Sequence, residues 1–346
     1  MAVPLVLALA LMACGNDDGN GDGDAVGDGE PTDTDADADD GEGAAAGDPV
    51  ELEMVVFQPP SLGAFLPAVI EAEEFDLAHG IDLQFVERPP DAYNSEFTSG
   101  QFQLGGSASL MSEGQRAAQG VDVAYLFNVH DYWAAVVSTD DEVTELTDLA
   151  GRDLAAVTGS TSYAMFQWFA MQAGLDLDDV TVENVGTPQL GTQAQTGRST
   201  AVQIWEPGYS QLMAQVDGLI DIDLDLDVWE QEYGFSDIPY LGVAAHREWI
   251  EENEDLIPDL QAVYEDAAEW ALANPQEAAE IIVDSLPEDS DVGPIAELLS
   301  DNDRLGLQVY SASEQEQAIR AVFDAGLEIG YFDSEPPEDI IYGVGR

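Results

Sequence analysis

The chain is short of three residue types that carry much of protein chemistry. Its 346 residues include one cysteine, no lysine and only three histidines. A single cysteine, Cys14, excludes an internal disulfide and any metal site built from several cysteines. Because Cys14 lies ahead of the part of the chain that can fold, a catalytic thiol in the folded body is excluded as well.

Positive charge is scarce along the whole chain. Eight arginines stand against 71 acidic residues, which gives a formal net charge of -63 at pH 7. Residues 15–48 hold thirteen of these acids, so 58 acids and the eight arginines remain for the rest. Such a surface lacks the basic patches that phosphate contact needs, and we exclude nucleic acid as a partner. Its self-repulsion fades at high ionic strength, so we predict an acidic, halophilic protein.

Familiar catalytic and metal motifs are also missing. Neither a Gly-x-Ser-x-Gly elbow nor a His-Glu-x-x-His motif occurs in the sequence. The alternating aspartates of DIDLDLD, residues 221–227, lack the glycine and the distant glutamate of a calcium loop. They are typical of an edge strand that resists further pairing. We therefore expect no enzyme activity, no metal and no cofactor.

The first 14 residues are typical of an export signal. Residues 2–13, AVPLVLALALMA, are too short to span a bilayer but match the length of a signal core. The motif LMACG resembles the lipobox of bacterial lipoproteins, which implies lipidation of Cys14. No arginine or lysine precedes the apolar run, so we expect the true start to lie upstream. The alternative is an ordinary signal peptide with an incidental cysteine.

Residues 15–49 differ in composition from the rest of the chain. They contain no aromatic residue and almost nothing to bury, and their like charges repel. We predict a disordered acidic tether that spaces a folded body from an anchored Cys14. From residue 50 the chain is long enough for two domains with cores of their own.

Strands alternate with helices along this body. The first predicted strands are 51–58, 81–87, 101–106 and 121–129. Predicted helices at 61–80, 91–100 and 107–120 separate them. The pattern restarts with predicted strands at 153–157, 179–186, 200–205 and 239–246. Such alternation predicts βαβ units and an α/β fold with parallel sheets.

Four stretches together resemble one family. They are AHGIDLQFVE (78–87), TSGQFQLGGSAS (98–109), LTDLAGRDLAAVTGSTSYAMFQWF (146–169) and AVQIWEPGYSQL (201–212). Their order and spacing are similar to those of substrate-binding proteins of ABC importers for nitrate, sulfonates, taurine and thiamine-precursor pyrimidines. The chain departs from that family at Gln103, where relatives usually carry an acid, and in the TGRSTAVQ stretch before WEP.

The resemblance implies a type II periplasmic-binding-protein-like fold. Two lobes, each a mostly parallel sheet flanked by helices, would be joined by crossing segments near 138–142 and 236–242. We expect lobe 1 to comprise 50–138 plus 243–346, and lobe 2 to comprise 139–242. The resemblance also implies a small-molecule ligand between the lobes and a membrane permease as partner, on the extracytoplasmic face. We expect a monomer.

Candidate ligand-binding residues follow from a general rule for open α/β sheets, in which ligands bind beyond the carboxyl ends of strands. The candidates are Gln58, Ser61, Phe65, Ser107, Ala108, Ser109, Asp131, Tyr132, Thr158, Ser160, Thr161, Ser162, Tyr163, Trp205 and Glu206.

Two serine-rich stretches among these candidates, GGSAS (105–109) and TGSTS (158–162), predict small loops that each open a helix. Free N–H groups and the helix dipole make such ends natural anion sites, although plain N-capping is the alternative.

The remaining candidates offer ring faces and one carboxylate. Phe65, Tyr132, Tyr163 and Trp205 could stack on a planar ring or hold a cation, or they could simply pack in the core. Glu206 would suit a ligand amine or ring N–H, or could serve the dipole of a following helix. We expect His130 to be neutral and structural, or a hydrogen-bond donor.

The predicted ligand is a sulfonate or taurine-type anion, because of the two serine-rich stretches. A pyrimidine or another planar heterocycle, including a flavin, is the alternative. A sensing lipoprotein without a permease, and an enzyme on the same fold, are the other hypotheses.

Overall fold

The computed structural model of the protein describes residues 49–286 and 290–344. The predicted signal peptide, Cys14 and the tether up to residue 48 lie outside the described residues. Within those residues, no helix combines the length and the apolar character that a membrane span requires.

Eleven strands occur in the described ranges. They are β1 (Val50–Phe57), β2 (Ile81–Arg88), β3 (Leu104–Ser109), β4 (Val123–Asp131), β5 (Ala135–Ser138), β6 (Asp153–Ala156), β7 (Thr181–Asn184), β8 (Ala201–Ile204), β9 (Ile220–Ile222), β10 (Pro239–His246) and β11 (Leu307–Ser311).

The same ranges hold thirteen α-helices. They are α1 (Phe65–Glu73), α2 (Phe75–Ala78), α3 (Pro90–Thr98), α4 (Leu110–Ala118), α5 (Thr161–Gln172), α6 (Thr187–Thr196), α7 (Gly208–Gln215), α8 (Asp227–Tyr233), α9 (Arg247–Asn253), α10 (Ile257–Ala273), α11 (Pro275–Ser285), α12 (Val292–Asp301) and α13 (Glu316–Glu328). Short 3-10 turns lie at Leu62–Ala64, Leu146–Leu149, Leu177–Asp179, Glu254–Leu256 and Glu338–Ile340.

The first sheet has the order β11-β4-β10-β3-β1-β2. Strands β1, β2 and β3 are parallel to one another, whereas β10 runs antiparallel to both β3 and β4. The alternation in β1 explains its two faces: Leu52, Met54 and Val56 enter the core beside α1 and α10, and Val55 enters the opposite core.

The second sheet has the order β7-β6-β8-β5-β9. Strands β7, β6 and β8 are parallel, and β5 runs antiparallel to β8 and β9. The two sheets, each flanked by helices, confirm the predicted α/β fold. Both sheets are mixed rather than mostly parallel, since four of their nine strand pairs are parallel and five are antiparallel. The aspartate-rich stretch after 220 begins in β9, which lies at the sheet edge as predicted.

The chain passes from the first sheet to the second between Asp131 and Ala135, and it returns between Ile222 and Pro239. The first passage comes before the crossing segment predicted near 138–142. All four residues of β5, AVVS, are buried. Because the strand is apolar on both faces, its sequence does not indicate which of the two sheets it joins. The remaining lobe boundaries stay a prediction.

The stretch Leu104–Ser109 corrects a second expectation. It forms strand β3 throughout, and α4 starts at Leu110, so GGSAS is not a loop that opens a helix. Glycine is required inside this strand because a Cβ on Gly105 would lie 2.4 Å from the Tyr93 hydroxyl, and one on Gly106 would lie 2.4 Å from the Met54 sulfur. The glycine pair therefore marks close packing of a buried strand rather than a turn.

Helix α5 is buried on nearly every side. Its apolar residues include Met165, Phe166, Trp168 and Phe169. It packs against the second sheet's core and also against α13, which contacts α4 beside the first sheet. This burial fixes the first turn of α5 at the junction of the two sheets.

Candidate functional site

The carboxyl end of β3 in the first sheet meets the start of α5 beside the second. Ser109, the last residue of β3, donates a hydrogen bond from its Oγ to Thr161 Oγ1 over 2.8 Å. Thr161 is the first residue of α5. The end of a strand in one lobe therefore contacts the start of a helix in the other, where ligands of open α/β sheets bind.

Six uncharged polar side chains from both lobes gather at this contact, and we call them the interlobe cluster. Its members are Ser109, Tyr132, Thr161, Ser162, Gln203 and Tyr240. Tyr132 OH donates to the Ser162 carbonyl oxygen at 3.2 Å, and Gln203 Nε2 donates to Ser162 Oγ at 3.1 Å. Burial raises the pKa of Tyr240, while hydrogen bonding to the side chains of Thr161 and Ser162 opposes the rise.

Aromatic rings form one wall of the cluster. The Tyr132 ring stacks on Phe169 with centroids 5.7 Å apart and planes 7° apart. Its other neighbour is Tyr240, edge-on, with centroids 5.6 Å apart. Burial holds the pKa of Tyr132 well above 10, so its hydroxyl stays neutral. The wall can pack against carbon or a planar ring while the hydroxyls form hydrogen bonds.

The first turn of α5 supplies N–H donors to the same place. Ser160 is the N-cap, and its Oγ accepts a hydrogen bond from the Tyr163 N–H at 3.1 Å. The backbone N–H groups of Thr161 and Ser162 lie in the first turn of α5, where no carbonyl oxygen of the helix is available to accept from them. Together with the helix dipole they favour an oxygen atom that carries negative charge.

Glu206 has protein partners of its own. Its Oε1 accepts from Arg304 Nε at 2.9 Å and from Ser210 Oγ at 2.8 Å, and its Oε2 accepts from the Ser210 N–H at 3.1 Å. Burial raises the pKa of Glu206, and the bonds from Ser210 and Arg304 oppose that rise. Both carboxylate oxygens are therefore occupied by protein donors rather than directed at a ligand amine.

Arg304 lies in the loop between α12 and β11, so it reaches from the first sheet's domain to the end of β8. Its guanidinium carbon lies 5.5 Å from the ring centre of Tyr209 and 6.0 Å from that of Trp133. Arg304 is not among the residues predicted from the sequence, because its partner Glu206 lies 98 residues away and no local pattern joins them.

Three candidates near β1 and β3 belong to the framework of the first sheet. Ser107 Oγ accepts from the Phe57 N–H at 2.9 Å and donates to the Gly63 carbonyl at 3.0 Å. Ala108 and Phe65 are buried in the core. The structure does not bring these three side chains into the interlobe cluster.

The other candidates lie around the cluster or at its margins. Ser61 caps the turn Leu62–Ala64 by accepting from the Gly63 N–H at 3.3 Å. Gln58 and Thr158 are exposed after β1 and β6, Tyr163 is buried in α5, and Trp205 is partly buried between two cores. Of the fifteen predicted residues, Ser109, Tyr132, Thr161 and Ser162 meet in one cluster. Gln203 and Tyr240 are not among the predicted residues, because both lie within strands, where the rule for strand ends does not point to them.

Asp131 lines a cavity of about 400 Å³ at the passage between the sheets, and Tyr132 of the interlobe cluster lines the same cavity. Its carboxylate accepts from Asn128 Nδ2 at 2.9 Å and from the Ile238 N–H at 3.3 Å. Burial and the nearby Asp237 raise the pKa of Asp131 to about 7. The cavity is strongly acidic and disfavours an anion, since its lining includes the carboxylates of Asp131, Asp227, Glu230, Asp237 and Asp303.

His130 is structural, as the sequence predicted. It is almost fully buried, and its Nδ1 lies 3.0 Å from the Leu305 carbonyl oxygen. Burial lowers its pKa to about 4, so it is neutral at pH 7. Among the residues described, no group of three or more His, Cys, Asp or Glu side chains is placed to hold a metal ion.

A family model described as "NMT1/THI5 like" matches residues 75–278. The chain belongs to this family. The match agrees with the resemblance seen in the sequence, and it spans the whole second sheet, α5 and the first sheet without β1 and β11. It therefore includes every residue of the interlobe cluster.

Solved structures of other proteins share the fold of this NMT1/THI5-like chain. The periplasmic aliphatic sulphonate binding protein SsuA of Escherichia coli matches with a TM-score of 0.66 and 19% identity, over 85% of this chain and 92% of its own. The alkanesulfonate-binding protein SsuA of Xanthomonas axonopodis pv. citri, bound to MOPS, gives 0.68 and 15%, over 86% and 99%. At these identities the likeness shows the fold, and it confirms the periplasmic-binding-protein architecture.

Sequence relatives give a narrower match. A protein of Brucella abortus that is named as a binding protein is 23% identical over 136 residues, which are 39% of this chain and 41% of the relative. A counterpart in Brucella suis has the same identity and coverage. The matched region spans well under half the length of these relatives.

Proposed function

We propose that this NMT1/THI5-like protein is the extracytoplasmic solute-binding component of an ABC importer. It binds a small organic anion of the sulfonate or taurine type between its lobes and delivers it to a membrane permease. It acts as a monomer without enzymatic turnover, and a lipid on Cys14 holds it at the outer face of the cell membrane.

The observation that carries the proposal is the interlobe cluster. Ser109 from the first lobe and Thr161 from the second share a 2.8 Å hydrogen bond at the carboxyl ends of both sheets. A solute-binding protein needs groups from both lobes in contact with one ligand, because the ligand then stabilises the closed arrangement.

The chemistry of the cluster favours an oxyanion. Its six side chains carry no charge, and the start of α5 adds N–H donors and a favourable dipole. A sulfonate group can accept several such hydrogen bonds at once. The structural neighbours named as sulfonate-binding proteins agree with this choice of ligand.

A planar nitrogen heterocycle, such as a pyrimidine, is the second candidate. The Tyr132 ring, stacked on Phe169 and set edge-on to Tyr240, favours it, because such a wall can hold a flat ring.

A thermal-shift screen of the full chain in multimolar KCl tests the proposal. The panel contains alkanesulfonates, taurine, nitrate, bicarbonate, pyrimidines and flavins. Ligand at about 100 times its Kd adds about 2.7 kcal/mol of stability. We expect sulfonates to raise Tm and to be recovered unchanged. A rise with pyrimidines alone favours the heterocycle, and no rise with any compound contradicts both candidates.

A pair of matched variants locates the site. Thr161→Val removes the hydroxyl at the first residue of α5, and we expect roughly tenfold weaker sulfonate binding. Thr187→Val changes the first residue of α6, which is exposed in the same lobe, and should leave the affinity unchanged. Equal losses in the two variants would count against the cluster as the binding site.

Anchoring is tested separately. Cells that express the full chain are labelled with a radioactive fatty acid, and the membrane and medium are compared. We expect label and membrane retention for the native chain, and loss of both for Cys14→Ser. Membrane retention of Cys14→Ser would contradict the lipid anchor without touching the ligand proposal.

A further inference from the structure

Gln203 occupies an unusual position for an amide side chain. It lies near the carboxyl end of β8 and is fully buried. Its neighbours Val202 and Ile204 face the core beside α6 and α7, so the alternation of the strand turns Gln203 to the opposite face, toward α5. Strand residues on this face normally pack as apolar core.

The amide of Gln203 is only half satisfied. Its Nε2 donates to Ser162 Oγ in the first turn of α5, 3.1 Å away. Its Oε1 is buried and has no hydrogen-bond partner within the ranges that the structure describes. The reverse orientation of the amide would leave both of its N–H groups unpaired, whereas this one leaves one N–H and the carbonyl oxygen. An unpaired buried N–H is rarer than an unpaired carbonyl, which favours the orientation described.

An unpaired buried carbonyl is costly and calls for a donor from elsewhere. Ser162 joins Gln203 to Tyr132, whose hydroxyl donates to the Ser162 carbonyl oxygen, so the amide lies inside the interlobe cluster. The other acceptor expected from the sequence, Glu206, is taken up by Arg304 and Ser210. Gln203 Oε1 is therefore a buried acceptor that the cluster can offer to a ligand.

We propose that Gln203 Oε1 accepts a hydrogen bond from an N–H or O–H group of the ligand and selects sulfonates that carry such a donor. The inference rests on the proposed function and adds the ligand class to it. The sulfonate oxygens accept from the start of α5, and an amino or hydroxyl group two carbons away donates to Gln203. A plain alkanesulfonate leaves Oε1 unpaired.

Three ligands of equal carbon number test the selection directly. Taurine carries an amino group, isethionate carries a hydroxyl, and ethanesulfonate has a methyl group in that place. Titration calorimetry with the full chain should show taurine and isethionate binding about 10- to 100-fold more tightly than ethanesulfonate. Because this comparison uses the native chain, it does not depend on any variant folding.

Variants at Gln203 then test whether its side-chain carbonyl causes the preference for taurine and isethionate over ethanesulfonate. In Gln203→Leu, we expect taurine and isethionate to fall to the affinity of ethanesulfonate, with ethanesulfonate itself little changed. Gln203→Met has nearly the length of glutamine and repeats the test if the leucine variant does not fold. Gln193→Leu removes another buried glutamine of the second lobe, outside the cluster, and should preserve the preference.

The outcomes distinguish failure of the Gln203 role from failure of the proposed sulfonate binding. Binding of all three sulfonates with equal affinity overturns the role of Gln203 and leaves sulfonate binding intact. An equal loss for all three in Gln203→Leu also overturns it, since that pattern means a structural role. If no sulfonate binds the native chain, the proposed ligand class fails, and the inference fails with it.

Discussion

Arg304 Nε lies 2.9 Å from Glu206 Oε1, and this ion pair joins a loop of the first lobe to the end of β8 in the second. The Glu206 side chain is 0% exposed, whereas 28% of the Arg304 side chain remains accessible. Ser210 and the rings of Tyr209 and Trp133 complete the surroundings. The ion pair therefore holds the two lobes together at this point.

Removing the cation should destabilise the protein markedly. Arg304→Gln leaves the Glu206 carboxylate buried without its counter-charge, and such a loss costs about 3–5 kcal/mol of unfolding free energy. Denaturant unfolding at fixed high salt measures the change. The double variant Arg304→Gln with Glu206→Gln should recover part of the loss, because no buried charge then remains.

An exposed ion pair serves as the control for Arg304. Glu142 lies 3.2 Å from Arg152 Nη2 and its side chain is 77% exposed. Glu142→Gln should change stability little, since water and salt screen such pairs. A similar effect of Arg304→Gln and Glu142→Gln would show that the buried pair does not stabilise the link between lobes.

Asp131 should give stability a distinctive pH dependence. Its pKa is raised from 3.8 to about 7 by burial and by Asp237, so the folded chain favours the protonated carboxyl. A raised folded pKa contributes stability that is complete below pH 3.8 and is lost as the pH rises through about 7. Above that range the contribution stays flat.

The comparison with Asp131→Asn isolates this effect from the many other carboxylates. In the variant, an NH2 group replaces one of the two carboxylate oxygens, and it cannot accept from the N–H of Asn128 or Ile238 that it faces. The variant therefore lacks one hydrogen bond at every pH. Unfolding free energies are measured from pH 4 to pH 8 for both chains. We expect the native chain to lose stability relative to the variant up to about pH 7. Parallel curves would contradict the raised pKa.

The sequence predicted the architecture well because periodicity and glycine positions are local signals. Alternation gave β1, β2 and β4 with nearly their observed bounds, and Gly80, Gly100 and Gly120 correctly marked the ends of the preceding helical segments. The error at GGSAS had the same origin. Glycine signals a turn and also close packing, and only the positions of Tyr93 and Met54 in the fold distinguish the two.

The candidate site was predictable where it lies in loops and at a helix start, and less so within strands. Thr161 and Ser162 were found because a serine-rich stretch precedes an apolar helix. Gln203 was missed because a single polar residue in a strand does not indicate which helix covers it. Arg304 was missed because nothing in the sequence specifies its distant partner, Glu206.

Ser107 tests the distinction between framework and site. Its Oγ satisfies the Phe57 N–H and the Gly63 carbonyl inside the first lobe. Ser107→Ala leaves both backbone groups without this partner, and we expect a loss of about 1–3 kcal/mol in unfolding free energy. Ser300→Ala, an exposed serine of α12, should cost less than about 0.5 kcal/mol. Equal losses would show that the Ser107 bonds add nothing to stability.

The charge of the folded body should make its stability depend strongly on salt. From residue 49 onward, 58 acids face eight arginines, and six of these arginines already pair with acids. The screening length falls from about 10 Å at about 0.1 M salt to about 3 Å at about 1 M, so repulsion among the unpaired carboxylates weakens over that range. We expect Tm to rise steeply between these KCl concentrations. Sucrose of equal osmolarity is the control, because it strengthens burial without screening charge and should give a smaller rise. An equal rise in sucrose, or a Tm that does not change with KCl, would show that charge repulsion does not limit the folded state.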